Sequence, residues 1–207
     1  MKKMMLLGVL LLSAAAGYGQ ESRQDVSFSG TGFFGPQITG NGAQLNTTGS
    51  LGLLTSYRYM LTPHSALELN YSFTQNQQRY VISFNTPPNV PVYAQGQRIH
   101  SRQEEITGAY VYNLNFKRFS PFLEAGVGGL IFTPIRDFAT QSLDTKQNTN
   151  IGGLFGGGVA YELSPSWDIR VEYRGFVVKA PDYGVADFKT NRYEIFSIPA
   201  VGMAYHF

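Results

Sequence analysis

Apolar and polar residues alternate along much of this chain with a period of two. In residues 67–74, Leu67, Leu69, Tyr71 and Phe73 fall on one side and Glu68, Asn70, Ser72 and Thr74 on the other. In residues 167–174, Trp167, Ile169, Val171 and Tyr173 alternate with Asp168, Arg170, Glu172 and Arg174. Successive side chains of a strand point to opposite faces, so each stretch predicts a strand with one apolar and one charged face. Weaker alternation predicts six further strands over 26–34, 49–61, 98–113, 122–132, 151–163 and 192–207. The count is eight.

The connections are unequal. Thr62-Pro63-His64, residues 114–121 and Ser164-Pro165-Ser166 are short, and each carries proline, which cannot donate to a ladder and belongs in turns. Residues 35–48, 75–97, 134–149 and 179–191 are long and mostly polar. Short turns at one end and long loops at the other are the asymmetry of outer-membrane barrels, and an even strand count returns both termini to the turn side. The expected fold is all-β, an eight-stranded antiparallel up-and-down transmembrane barrel with both termini in the periplasm.

The last strand carries a specific pattern. Phe207, Tyr205, Met203 and Val201 share one face, and Gly202 stands three places before Tyr205. Glycine-x-x-aromatic-x-aromatic resembles the C-terminal signal of bacterial outer-membrane β-barrels, although Val201 stands where that family often has a polar residue. The resemblance implies that Gly202, Tyr205 and Phe207 are read by the barrel assembly machinery. The run Tyr110-Val111-Tyr112-Asn113, followed by residues 121–128, is similar to the central hairpin of the outer-membrane β-barrel domain family, which includes the OmpA transmembrane domain and OmpX-like proteins. The resemblance spans nearly the whole chain after residue 20. It implies a place in the outer membrane of a Gram-negative-type bacterium, in contact with lipid that includes lipopolysaccharide.

The other end of the chain agrees. Lys2 and Lys3, the apolar run 4–16 and the small residues Ala14-Ala15-Ala16-Gly17 and Gly19 form a secretory signal over 1–20, cut after Ala16 or after Gly19. The barrel domain is then 21–207. The apolar run is too short to cross a bilayer as a helix, which needs about 20 residues. No cysteine is present, so there is no lipoprotein anchor, disulfide framework or thiolate metal site. The signal holds two of the sixteen basic residues and no acidic one, so the remaining chain balances fourteen against fourteen and suggests no nucleic-acid partner.

The charged face is the first candidate site. It places Arg58, Glu68, Glu105, Glu124, Glu162, Asp168, Arg170, Glu172 and Arg174 in the lumen. These side chains either gate a narrow ion path or fill a polar core, and eight strands leave an interior that side chains can fill. Filling is the expected role, with a porin-like channel as the alternative.

A lipid-modifying enzyme is the second alternative. A serine nucleophile and its base need the same strand face, whereas His64-Ser65 and His100-Ser101 are neighbours and face opposite ways. The expectation is therefore no catalysis, no cofactor and no metal. The glycines of 152–158 lack the Lys-Ser/Thr of a phosphate loop and are expected to serve tight strand packing. Tyr80, Ile82 and Phe84, with Val90 and Tyr93 beyond Asn85-Thr86-Pro87-Pro88-Asn89, suggest a surface hairpin pairing 81–84 with 90–94. Its exposed edge could add a strand from a surface or matrix protein, as an adhesin would. The function expected is envelope structure and surface interaction.

Overall fold

The computed structural model describes residues 23–83, 94–136 and 144–207. The signal over 1–20, and Phe84, Val90 and Tyr93 of the hairpin, lie outside the described residues. Ten strands form one sheet: β1 (Gln24–Phe33), β2 (Ile38–Gly40), β3 (Ala43–Thr47), β4 (Ser50–Thr62), β5 (Ser65–Ser83), β6 (Ala94–Asn113), β7 (Phe119–Pro134), β8 (Asn148–Ser164), β9 (Trp167–Lys179) and β10 (Tyr193–His206). Eight of them, β1 and β4 to β10, pair antiparallel in sequence order. The β1–β10 pairing, from Asp25↔His206 to Thr31↔Ala200, closes the barrel. Closure pairs each barrel strand on both sides, which a bilayer requires of any spanning sheet. No described helix is long and apolar enough to cross a membrane.

The face assignment follows from the register. On β5, Leu67, Leu69 and Tyr71 are exposed on the outside while Glu68, Asn70 and Ser72 are buried within. Exposed apolar side chains girdle the barrel. Aromatic residues gather at the turn end, among them Tyr59, Tyr112, Tyr161, Trp167 and Tyr205. Trp167 and Tyr205 pack with ring centroids 5.0 Å apart, joining β9 to the closing strand.

The long connections depart from expectation. Residues 35–48, expected as a loop, contain β2 and β3, joined at Asn41 and Gly42, whose φ angles of 50° and 77° make a tight primed turn. β3 then pairs with β5 from Ala43↔Ile82 to Thr47↔Gln78. β5 and β6 run 19 and 20 residues and continue past the barrel as a paired ribbon to Ser83↔Ala94. The expected pairing of 81–84 with 90–94 is corrected: Val81 pairs with Gly96 and Ile82 with Gln95. The structure extends the strands because one edge of the ribbon and its inner face find partners. One edge pairs with β3, and the inner face is covered by apolar groups.

Candidate functional site: the filled lumen and its cap

The lower lumen, nearer the turns, is an ion-paired layer. Arg58 donates from Nε to Glu68 Oε2 at 2.5 Å, and its guanidinium lies 4.7 Å from the centroid of the Phe122 ring. Arg170 donates from Nη2 to Asp25 Oδ1 at 3.2 Å and approaches Glu68 at 3.9 Å. One layer up, Arg174 donates to Glu105 Oε1 at 2.7 Å, and its Nε stands 3.4 Å from Glu124 Oε1. Ser72 and Thr107 donate to Glu105, each at 3.2 Å. β4, β5, β6, β7, β9 and β1 each supply a member, so the network ties the barrel wall together across its axis.

Among the described residues, six carboxylates (Asp25, Glu68, Glu105, Glu124, Glu172, Glu194) and three guanidiniums (Arg58, Arg170, Arg174) are buried. Asp25 and Glu194 were not in the expected set. Asp25 precedes the expected start of the first strand, and Glu194 belongs to a last strand recognised by its other face. Both occupy lumen register positions, a signal that strand parity carries once β1 begins at Gln24. Glu162 and Asp168 keep the inward parity but are only half-buried, and Asp168 pairs with His206 Nε2 at 2.7 Å. They sit at the turn-side end, where the lumen opens and water competes.

Two glycines make the layer possible. A Cβ on Gly156 would stand 2.6 Å from Glu124 Oε1, and one on Gly158 would stand 2.7 Å from the Phe122 ring. The lumen is narrow enough that β8 must carry no side chain where β7 points its largest. Gly202 is equally confined, since a Cβ there would be 2.2 Å from the Phe28 carbonyl across the closing seam.

The upper lumen is apolar. Phe33, Leu45, Ile99, Leu130, Phe132, Phe176, Val178, Phe196 and Ile198 form one buried cluster with Tyr80, Tyr183 and Phe188. The connection between β9 and β10 folds into this mouth rather than standing in solvent. Asp182 turns the chain, accepting from the Gly184 N–H at 3.0 Å, and Tyr183 holds a left-handed φ of 50°. That conformation is costly for a side chain bearing a Cβ. It is held by the Tyr183 hydroxyl, which donates to Gln78 Oε1 at 2.6 Å. Burial raises the Tyr183 phenol far above the usual tyrosine range, so it stays a donor throughout the physiological range.

Tyr80 and Ile82 are therefore corrected as surface residues. Tyr80 is fully buried, stacks on Phe188 and donates to the Pro181 carbonyl at 2.7 Å. Ile82 packs against the same cluster. Their alternation is apolar because it continues the interior face of β5 upward.

The histidines are dispersed. His64 Nδ1 lies 3.1 Å from the Asn113 carbonyl, His100 bonds Gln77, and His206 meets Asp168. Among the described residues, no group of three or more His, Cys, Asp or Glu side chains is placed to hold a metal.

A closed antiparallel barrel with an apolar girdle, aromatic residues at the turn end and a charged interior is an integral membrane barrel of the outer-membrane class. The chain belongs to the outer membrane protein β-barrel domain family, whose profile matches residues 4–207. Its fold is shared with Neisserial surface protein A at 14% identity and a TM-score of 0.61, covering 90% of this chain and 98% of that one. Outer membrane protein OprG from Pseudomonas aeruginosa matches at 12% identity and a TM-score of 0.64, covering 91% and 98%. The outer membrane protein AlkL, solved in lipid bilayers, matches at 18% identity and 0.53, covering 93% and 92%. No curated protein matches the chain. The protein is thus an outer-membrane barrel of Gram-negative type.

Proposed function

We propose that this protein is a non-conducting, non-catalytic wall barrel that presents a β-ribbon at the cell surface for interaction with surface or matrix proteins. The observation that carries the reading is the pairing of a doubly closed lumen with the β5–β6 extension. The Arg174–Glu105–Glu124 layer fills the middle of the lumen, and the Tyr80–Phe188 stack fills its loop-side mouth. Such filling favours structure over a channel. Residues 1–20 serve as the export signal, and 21–207 form the barrel with both termini in the periplasm. Gly202, Tyr205 and Phe207 are offered to the assembly machinery.

The ribbon supplies the interaction surface. Among the described residues, β6 over 94–99 pairs only with β5, leaving its other edge available for strand addition. The partner edge thus lies on β6, since β3 occupies that of β5.

Two measurements test this. Planar bilayers containing the refolded barrel should show no unitary conductance steps; regular steps favour the channel. Proline at Gln97, which removes a donor from the ribbon, should weaken adherence of cells to matrix-coated surfaces while leaving heat-modifiable folding intact. Unchanged adherence removes the surface role and leaves the wall.

A further inference from the structure

At the turn end, the outward face of the β6–β7 hairpin stays apolar beyond the aromatic residues that ring the barrel there. Past Asn113 the ladder continues to the tip. The Leu114 N–H bonds the Pro121 carbonyl at 2.8 Å, and Phe116 and Phe119 exchange both backbone bonds, at 2.9 and 2.8 Å. The outward parity of Tyr110 and Tyr112 therefore carries on to Leu114 and Phe116, and Phe119 stands opposite Phe116 on the same face. Leu114 is 41% exposed, Phe116 61% and Phe119 45%. An aromatic girdle marks the edge of the apolar band, and Phe116 lies two outward positions past Tyr112, roughly 10 Å farther from the bilayer centre. That is headgroup depth.

Lys117 and Arg118 form the tip itself. Lys117 holds a left-handed φ of 52° at the first central position of a two-residue turn, where such hairpins favour glycine. A side chain there strains the backbone in a way that glycine avoids, so the turn keeps its charge against its conformational preference. The other two turns, at Pro63-His64 and Pro165-Ser166, hold no lysine or arginine. Both tip cations are exposed, and among the described residues neither has a carboxylate within ion-pairing distance. The neighbouring turns fix the height of the hairpin. Asn115 donates from Nδ2 to the Pro63 carbonyl at 2.7 Å on one side, and the Glu162 N–H bonds the Arg118 carbonyl at 2.9 Å on the other.

The occupant of this surface follows from its continuity and its charge. The apolar side faces away from the barrel axis and runs without a break into the lipid-facing girdle, so the membrane covers it. Aromatic groups at headgroup depth beside unpaired cations bind a lipid surface that carries negative charge. Lysine and arginine form short, charge-assisted hydrogen bonds with phosphate oxygens. We propose that the β6–β7 tip is a selective contact for anionic phospholipids of the leaflet that faces the periplasm. Lys117 and Arg118 take the headgroup phosphate, and Leu114 and Phe116 lie against the glycerol and upper acyl region. The leaflet assignment rests on the orientation proposed above, with the turns in the periplasm; the preference for anionic lipid does not.

The test titrates the folded barrel in detergent with phosphatidylglycerol, with phosphatidylcholine and with glycerol phosphate, read by native mass spectrometry. Phosphatidylglycerol should bind about tenfold or more tightly than phosphatidylcholine, given two basic groups at an anionic headgroup. K117Q/R118Q should lose that preference and keep its heat-modifiable mobility, whereas R79Q/R98Q, at the loop end, should keep both. Equal binding of the two phospholipids, or a preference that survives K117Q/R118Q, overturns the contact. Glycerol phosphate binding as tightly as the lipid overturns the membrane as its source. Because the chain has no cysteine, F116C carries a single fluorophore. In vesicles, phosphatidylglycerol brominated near the top of its acyl chains should quench that dye and iodide should not; the reverse pattern puts the tip in water and removes the contact. Orientation is read separately with an impermeant thiol reagent on cells carrying K117C. Labelling only after the outer membrane is permeabilised supports the periplasmic leaflet. Labelling of intact cells overturns that leaflet and the orientation, even if the lipid preference in detergent survives.

Discussion

The ring of Tyr80 lies stacked on that of Phe188, with centroids 4.3 Å apart and planes 17° apart. One residue belongs to the extension of β5 and the other to the connection between β9 and β10, so this contact helps to seat that connection in the barrel mouth. Truncating a buried aromatic side chain costs about 3–5 kcal/mol in well-packed cores. Phe188→Ala should therefore free the connection and expose Lys189 to trypsin, while the barrel keeps its heat-modifiable mobility. Unchanged trypsin resistance would mean that the mouth is held by other contacts.

The ion-paired layer should matter more than any surface charge. Removing one partner of a buried pair strands the other and costs about 3–5 kcal/mol, less where water reaches it. Arg174→Ala strands Glu105 and Glu124, and Arg170→Ala strands Asp25. Both should lower the urea midpoint of the refolded barrel well below that of Arg79→Ala, whose guanidinium is exposed. Equal midpoints would contradict the layer's structural role.

Two glycines of β8 differ sharply in the room around them. Gly158→Val would drive a side chain into the Phe122 ring and the Val171 carbonyl, whereas Gly153 has only the Gly126 carbonyl near, at 4.0 Å. Overpacking costs about 1–3 kcal/mol. Gly158→Val should reduce the folded fraction on refolding, and Gly153→Val should leave it unchanged. Equal losses in both would mean that strand propensity, not lumen volume, is at work.

The terminal strand supplies a cellular prediction. Phe207 stacks beside Tyr205 at 6.2 Å, and its N–H bonds the Gln24 carbonyl across the closing seam. Phe207→Ala leaves that backbone bond in place and removes the aromatic ring. The amount of fast-migrating, unboiled barrel in outer-membrane fractions should fall, with the unfolded chain degraded before insertion. Undiminished amounts would separate the ring from assembly.

The existence, facing and order of the eight barrel strands were legible from the sequence, because a membrane barrel inverts solvent and core and writes the inversion into every second residue. Leu67 to Thr74 and Trp167 to Arg174 carry that period without interruption, and β5 and β9 contain them. The cap was not legible. Nothing local distinguishes an apolar alternation that faces a partner from one that continues an interior, so Tyr80 and Ile82 were expected at the surface. Asn41-Gly42 was the one local signal in that region, a turn dipeptide that marks the β2–β3 hairpin. Which carboxylate meets which arginine was likewise beyond the sequence: period two assigns a face, but closure brings Arg174 of β9 to Glu105 of β6 across the lumen. Alternation is a property of neighbours along the chain. The cap and the ion-paired layer are contacts between distant segments, set only when the barrel's register and width bring them together.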